Sequence, residues 1–424
     1  MDRYSLKKLE FHKIKEMLET LCETPLGVHH VRELEPSADI NEVLEAQAET
    51  TEAVKAKRLS PDLSLAGISD LTPFLRRAAI GGVLEPNELL MIRDTLAAAG
   101  RVKEGILRIS ADIPRLRSRA AALNECSQLQ ERIGACILPE GEIADAASAE
   151  LAKLRRQMRS LEAKARSQLE EFLTRPEWLR YLQEPIYTMR GERYVLPVKQ
   201  EFRNQFPGIV HDQSSSGATV FMEPLSLVST MNELAAVKAA ARREELRVLE
   251  ELTKLVAAEH ERIGENLKIL GEIDFIFAKG ALSERMKGRQ PEIKDDGWIE
   301  IRGGRHPLLQ GEVVPLNIHL GKDFDCLIIT GPNTGGKTVA LKTVGLLALM
   351  AQAGLHVPAD EGTVFPCFMD IFADIGDEQS IEQSLSTFSG HMTNIVRILQ
   401  KAGKGTLVIL DELGAGTDPE QGAS

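Results

Sequence analysis

The stretch CLIITGPNTGGKT, residues 326–338, decides both the fold and the chemistry expected of this chain. Its apolar opening, 326–330, has strand character, and the residues from 339 to 350 read as a helix. Between them lies Gly331-Pro332-Asn333-Thr334-Gly335-Gly336-Lys337-Thr338, a GxxxxGK[ST] loop in the strand, loop, helix context of a phosphate cradle. Glycines let successive backbone N–H groups converge on phosphate oxygens. Lys337 then neutralises the β and γ oxygens and the Thr338 hydroxyl ligates Mg²⁺, so the stretch predicts ATP and Mg²⁺ as the bound pair.

A second apolar run, TLVILDE at 406–412, ends in two acids. Asp411 is expected to hold the magnesium shell, and Glu412 to orient or deprotonate the attacking water. Between the two runs lies LSTFSGHM, 385–392, followed by a helical stretch at 393–400. Small hydroxyl residues and a glycine at a helix start make an anion-binding end. Because Ser386, Ser389 and Gly390 lie too far along the chain to serve the same cradle, they predict a homodimer in which each subunit reaches the γ-phosphate held by the other; an ordinary helix cap is the alternative. Gln379, in Asp377-Glu378-Gln379, is the candidate γ-phosphate sensor, with a plain polar turn as its alternative.

Working outward, the interval between Pro224 and Pro291 contains no proline. Met231, Leu234, Ala241, Val248, Leu252 and Leu255 keep a helical period there. An unbroken helix over 225–263 would span about 58 Å at roughly 1.5 Å per residue. Upstream, Leu151, Leu154, Met158, Leu161, Ala165, Leu169 and Phe172 form one stripe of another helix. Its other face carries Lys153, Arg155, Arg156, Arg159, Lys164 and Arg166, which suits either solvent or a phosphate backbone. The segment between these helices turns to short β-like runs, 192–198 and 218–222, rich in aromatic rings. Trp178, Tyr181, Tyr187, Tyr194, Phe202, Phe206 and Phe221 are read chiefly as a small core. Arg190, Arg193, Lys199, Arg203 and the loop at 213–217 are the better candidates for nucleic-acid contact. Two antiparallel arms holding a β module are therefore expected.

The residues from 6 to about 173 show no strand pattern, only successive helices broken by turns such as Glu35-Pro36-Ser37 and Gly81-Gly82. The predicted division is a helical core at 1–150, an ascending lever helix at 151–177, a clamp at 178–224, a descending lever and return at 225–290, and the ATPase domain at 291–424. At 424 residues and 43% hydrophobic content there is apolar material for two to four domains. The formal charge of −12 excludes a blanket polycation, so any nucleic-acid contact must be local. Five cysteines scattered without a CxxC pair suggest neither a zinc site nor a disulfide frame. The N-terminus is charged and no run approaches a membrane span, which places the protein in the cytoplasm with no membrane partner.

TGPNTGGKT, STFSGHM and LDELGAGTDP, with GGRHPLL at 303–309, resemble the ATPase of MutS proteins and specifically the second bacterial MutS paralogue. The resemblance covers essentially the whole chain. It implies an α + α/β multidomain fold: an all-helical core and lever with an inserted small β-rich clamp, then an ABC-type P-loop ATPase domain. It further implies a head-to-head homodimer with two composite ATP sites, to which Asp418 of the D-loop belongs. The implied partners are branched DNA, in recombination that such proteins restrain, and the rRNA of stalled, collided ribosomes that they split. Phe221-Met222-Glu223 mimics the wedge of mismatch readers but sits in the clamp region, and is read as coincidence. The sequence stops soon after Asp418, so the following helix, the switch histidine and the nuclease-type terminal domain of the family are expected to be missing. Nucleotide binding is then expected to survive, and nuclease activity is not expected of this chain. A mismatch-binding MutS and an SMC-like structural ATPase are the rival readings.

Overall fold

A computed structural model of the chain describes residues 1–295, 297–309, 311–331, 336–376 and 384–411, with 384–390 as backbone only. The first half is helical: α1 (Arg3–Lys8), α2 (Phe11–Glu19), α3 (Pro25–Glu33), α4 (Ile40–Leu59), α5 (Thr72–Ala79), α6 (Pro86–Arg108), α7 (Pro114–Ala122), α8 (Ser127–Cys136), α9 (Ala149–Thr174) and α10 (Pro176–Leu179). Strands β1 (Thr188–Arg190), β2 (Arg193–Lys199), β3 (Gly208–Gln213) and β4 (Thr219–Pro224) follow, then α11 (Leu225–Ala258) and α12 (His260–Arg285). The remainder holds β5 (Glu292–Lys294), β6 (Ile299–Gly304), β7 (Leu316–Leu320), α13 (Lys337–Gln352), β8 (Val364–Pro366), β9 (Asp370–Asp374), α14 (Ser384–Lys401) and β10 (Thr406–Leu410). No helix among the described residues is long and apolar enough to cross a membrane.

The chain forms two compact units. One comprises Leu71–Arg93 and Cys126–His260. Its sheet has the order β1-β2-β4-β3, antiparallel throughout, with a bulge between Val210 and Asp212. Helices α9 and α11 pack together on either side of this module in sequence. Their cross-links run in opposite senses: Ser148 to Glu244, Arg155 to Glu245, Lys238 to Glu162, and Gln168 to Ser226. Rising numbers on α9 meet falling numbers on α11, so the two helices are antiparallel. The expected stripe is buried at Leu151, Leu154, Ala165, Leu169 and Phe172, with Met158 and Leu161 half-buried against the same core.

Most rings of the β module enter that core. Tyr181, Tyr194 and Phe206 are buried with Leu196, Val198, Val220 and Met222, and Trp178 and Phe202 pack against them. Phe206 meets the rings of Phe172 and Trp178 at centroid distances of 5.9 Å. Phe221 instead carries the Arg190 guanidinium over its face at 4.1 Å. Part of the basic run on α9 is taken up internally, since Arg155 pairs with Asp145 and Glu245, Arg159 with Asp145, and Lys153 with Glu150. The helix expected over 225–263 ends at Ala258, and Glu259, at φ −100° and ψ 7°, separates it from α12. One residue out of helical geometry is enough to interrupt the i to i+4 bonding. Leu255 is exposed while Val256 takes the inward place, because the stripe drifts around a helix of 3.6 residues per turn.

The other unit is assembled from Met1–Asp70, Asp94–Glu125 and Glu261–Ser424. It contains a sheet of order β5-β8-β6-β7, and a parallel pair, β9 with β10, in which Asp374 stands opposite Leu410. A parallel pair needs a crossover, and α14 supplies it. Leu9, Phe11 and Ile14 from the N-terminal helices share one core with Leu346, Leu347 and Met350 of α13 and with Ile371, Leu407 and Ile409. Gly345 permits the approach: a Cβ there would lie 2.6 Å from Leu9 Cδ2 and 2.7 Å from Ile409 Cδ1.

The last carbonyls of α13 accept from the backbone N–H groups of Ala353, Gly354 and Leu355, and side chains of α4 reach the same turn. Gln47 Nε2 donates to the Ala351 and Leu355 oxygens at 2.8 and 2.9 Å, and Thr50 Oγ1 to Gly354 O at 2.6 Å. His356, just beyond, is buried between Ser283 Oγ at 2.7 Å and Thr51 Oγ1 at 3.0 Å. Burial above all, and then the charges of Lys279 and Arg58, push its pKa down to about 4.

The 326–330 run is not a strand in the structure. A strand exists only where a neighbour completes its ladder. Among the described residues β10 pairs with β9 alone, and Ile328 is 79% exposed.

Two outcomes follow for stability. Gly345→Ala should cost about 1–3 kcal/mol, because Leu9 and Ile409 must give way to the added methyl, and urea unfolding measures it. His356 has a folded pKa below its unfolded value of 6.5, so the unfolded chain binds more protons between these values. Stability is therefore fully present above pH 6.5 and is lost as pH falls toward 4, by on the order of 3 kcal/mol. In His356→Gln the decline between pH 6.5 and 5 should flatten.

Candidate nucleotide site

The site is built where α13 begins. Gly336 caps the helix in the left-handed region at φ +79°, and Gly331 opens the preceding loop at φ +147°. Both values are accessible to glycine and strained for other residues. Lys337, the first helical residue, extends Nζ back to donate to the Gly331 carbonyl at 2.7 Å. Thr338, on the next position, donates from Oγ1 to Asp411 Oδ2 at 2.6 Å. That bond joins residues 73 apart in sequence, the start of α13 and the end of β10.

Asp411 is fixed at its backbone as well, since its N–H donates to the Asp374 carbonyl at 2.9 Å, continuing the β9–β10 ladder by one bond. A hydroxyl and a carboxylate at one point, beside a helix N-terminus, form an oxygen-donor pair of the kind a hard cation such as Mg²⁺ takes. The donor set thus fits the metal expected there. Among the described residues no group of three or more His, Cys, Asp or Glu side chains is placed to hold a metal.

The structure brings together Gly331, Gly336, Lys337, Thr338 and Asp411 from the expected set. Pro332, Asn333, Thr334, Gly335, Gln379, Glu412 and Asp418 lie outside the described residues. Ser386, Ser389 and Gly390 lie within α14, which starts at Ser384 rather than near 393. Only the first four N–H groups of a helix lack an internal acceptor. Those belong to 384–387, so the amides of Ser389 and Gly390 fall beyond the anion-binding end predicted for them.

Sequence reading missed Asp374, His391 and Asn394. Asp374 is buried and accepts from Asn394 Nδ2 at 2.8 Å, with His391 Nδ1 at 2.9 Å from its other oxygen. The signal was present: DIFAD at 370–374, like TLVILD, is an apolar run closed by an aspartate.

Residues 327–424 match the family model for MutS domain V. The chain is thus a MutS-type protein in its last quarter. Over 424 residues it is 50% identical to Endonuclease MutS2 of Pelotomaculum thermopropionicum, covering 100% of this chain and 54% of that protein. It is 47% identical over 427 residues to Endonuclease MutS2 of Alkaliphilus oremlandii, with 100% and 54% covered. For the Symbiobacterium thermophilum Endonuclease MutS2 the identity is 48%, with 100% and 53% covered. The chain belongs to the MutS2 family, and it spans about half the length of the curated relatives it matches.

If the Thr338–Asp411 bond holds the two halves of the site together, the single changes Thr338→Val and Asp411→Asn should not add. A double-mutant cycle by denaturant unfolding should return a coupling of about 0.5–3 kcal/mol.

Proposed function

We propose that this chain is the ATP-binding part of a MutS-type ATPase that works as a dimeric clamp on a phosphate-rich partner in the cytoplasm. The observation that carries the reading is the Thr338–Asp411 bond, because it places a GKT hydroxyl against a strand-end aspartate. In this reading Gly331 to Thr338 cradle the triphosphate, with Lys337 on the β and γ oxygens. Thr338 and Asp411 would hold Mg²⁺, which when bound neutralises charge developing on the phosphates. Glu412 orients or deprotonates the attacking water, and Gln379 senses the γ-phosphate. Ser386, Ser389, Gly390 and Asp418 complete the partner's site in a homodimer.

The division into core at 1–150, levers at 151–177 and 225–290, clamp at 178–224 and ATPase domain at 291–424 belongs to the same proposal. The antiparallel α9 and α11 with the antiparallel β module between them support it. In the module, Arg203 and the turn at 214–217 are exposed or half-exposed, as contact with a phosphate backbone requires. Branched DNA in recombination and the rRNA of collided ribosomes are the partners of this chemistry. The endonuclease activity in the relatives' names is assigned to the part of those proteins that this chain does not span.

Two measurements test the reading. In the full-length protein Lys337→Ala should abolish the thermal stabilisation given by ATP with Mg²⁺, and an undiminished shift would refute the phosphate cradle. Glu412→Gln should hold the ATP state, and pull-down of that variant should recover ribosomal subunits or branched DNA. Recovery of neither, with ATP binding intact, would favour a structural ATPase.

A further inference from the structure

Asp374 is a carboxylate that the nucleotide reading leaves without a task, yet it is 1% exposed, and among the described residues its side chain is met by α14. His391 and Asn394 are spaced i, i+3 and lie on one side of that helix. Asn394 Oδ1 in turn accepts from Arg397 at 3.1 Å from Nε and 2.7 Å from Nη2. Arg397 Nη1 donates to Asp2 Oδ1 at 2.6 Å and Nη2 to Asp2 Oδ2 at 3.1 Å. Asp2 N donates to Asp370 Oδ1 at 2.9 Å, and the Ser5 hydroxyl accepts from Ala373 N at 2.9 Å. A continuous polar chain therefore runs from α1 along α14 to the end of β9. Its last member, Asp374, is bonded through its backbone to Asp411.

We propose that the Asp374–His391–Asn394 cluster is a positioning device that fixes the angle of α14 to the magnesium-holding end of β10. This rests on the nucleotide reading above and deepens it. A carboxylate accepts only, so the His391 Nδ1 that faces it carries the proton, and both Asp374 oxygens are engaged in fixed directions. Two such bonds to one rigid strand end set the rotation of α14 about its axis. The same helix carries Ser386, Ser389 and Gly390 in its first turns, the segment that the proposed dimer would turn toward the partner's site. A displacement at Asp411 is thus handed to α14 through a single backbone hydrogen bond and one buried side chain. The residues act through Asp411 and the 385–392 segment, and have no role in contacting substrate themselves.

The test uses the full-length protein, with ATP turnover and ATP binding measured side by side. His391 is 35% exposed, so its truncation leaves the core packing in place, and a melting curve checks this. His391→Ala should lower kcat about tenfold while KM for ATP stays within about twofold, the pattern of a lost orientation rather than lost binding. His391→Asn places an amide N–H near the position of Nδ1 and should return kcat to within about threefold of the parent. Turnover in His391→Ala equal to the parent overturns the proposal, as does equal loss in the Ala and Asn variants. Lys337→Ala runs as the control. Turnover that survives Lys337→Ala sinks the nucleotide reading itself, whereas an inactive Lys337→Ala beside a fully active His391→Ala sinks only the positioning role.

Discussion

Two parallel strands cannot be joined by a tight turn, and this constraint organises the part of the molecule that matters most for function. Strands β9 and β10 lie parallel and in register, so the chain must leave Asp374, cross over, and return at Thr406. The crossover is α14. As a result the carboxyl ends of both strands finish at the same edge, with Asp374 and Asp411 side by side, and the crossover helix lies on the face next to them. Nothing about Asp411 alone would make it a ligand. The role proposed for it depends on its being held at its backbone by β9 and at its side chain by Thr338.

The helix that starts at the candidate cradle is held equally firmly at its other end. Gln47 and Thr50, both on α4, donate to the carbonyls of Ala351, Leu355 and Gly354 at the end of α13 and just beyond it. Gln352 in turn donates to Ser37 O and Phe368 O at 2.7 and 2.9 Å. Losing any of these bonds would leave a buried amide or carbonyl unpaired, so they favour this seating of the end of α13. On another side Gly345 sets how closely α13 approaches Leu9 and Ile409. The glycine-rich loop therefore opens onto a helix that has little freedom to shift on its bed.

How far the fold was legible in the sequence depends on whether periodicity or partnership decides each element. The stripe from Leu151 to Phe172, the runs at 192–198 and 218–222, and the run at 406–410 all carry their pattern locally, and the structure follows them. The 326–330 run has the same apolar texture, but a strand also needs a neighbour, and apolar texture does not report one. The start of α14 was placed near 393 because serine, threonine and glycine resemble a cap. In the structure the helix begins at Ser384, since small residues are also tolerated inside a helix that a crossover holds in place. Asp374 shows the opposite case: the sequence analysis assigned its run nothing, and its partners lie 17 and 20 residues away on another element.

The unit that holds the candidate cradle is sewn from three separated stretches, and its core joins Leu9 to Ile409. A ribosome elongating at about 5–20 residues per second delivers these partners on the order of tens of seconds apart. Until residues 344–409 are made, Leu9, Phe11 and Ile14 lack most of the core they join, whereas Cys126–His260, together with Leu71–Arg93, is complete once residue 260 has been added. Synthesis therefore completes the middle unit before the last partners of Leu9 exist, and the core around Leu9 closes late.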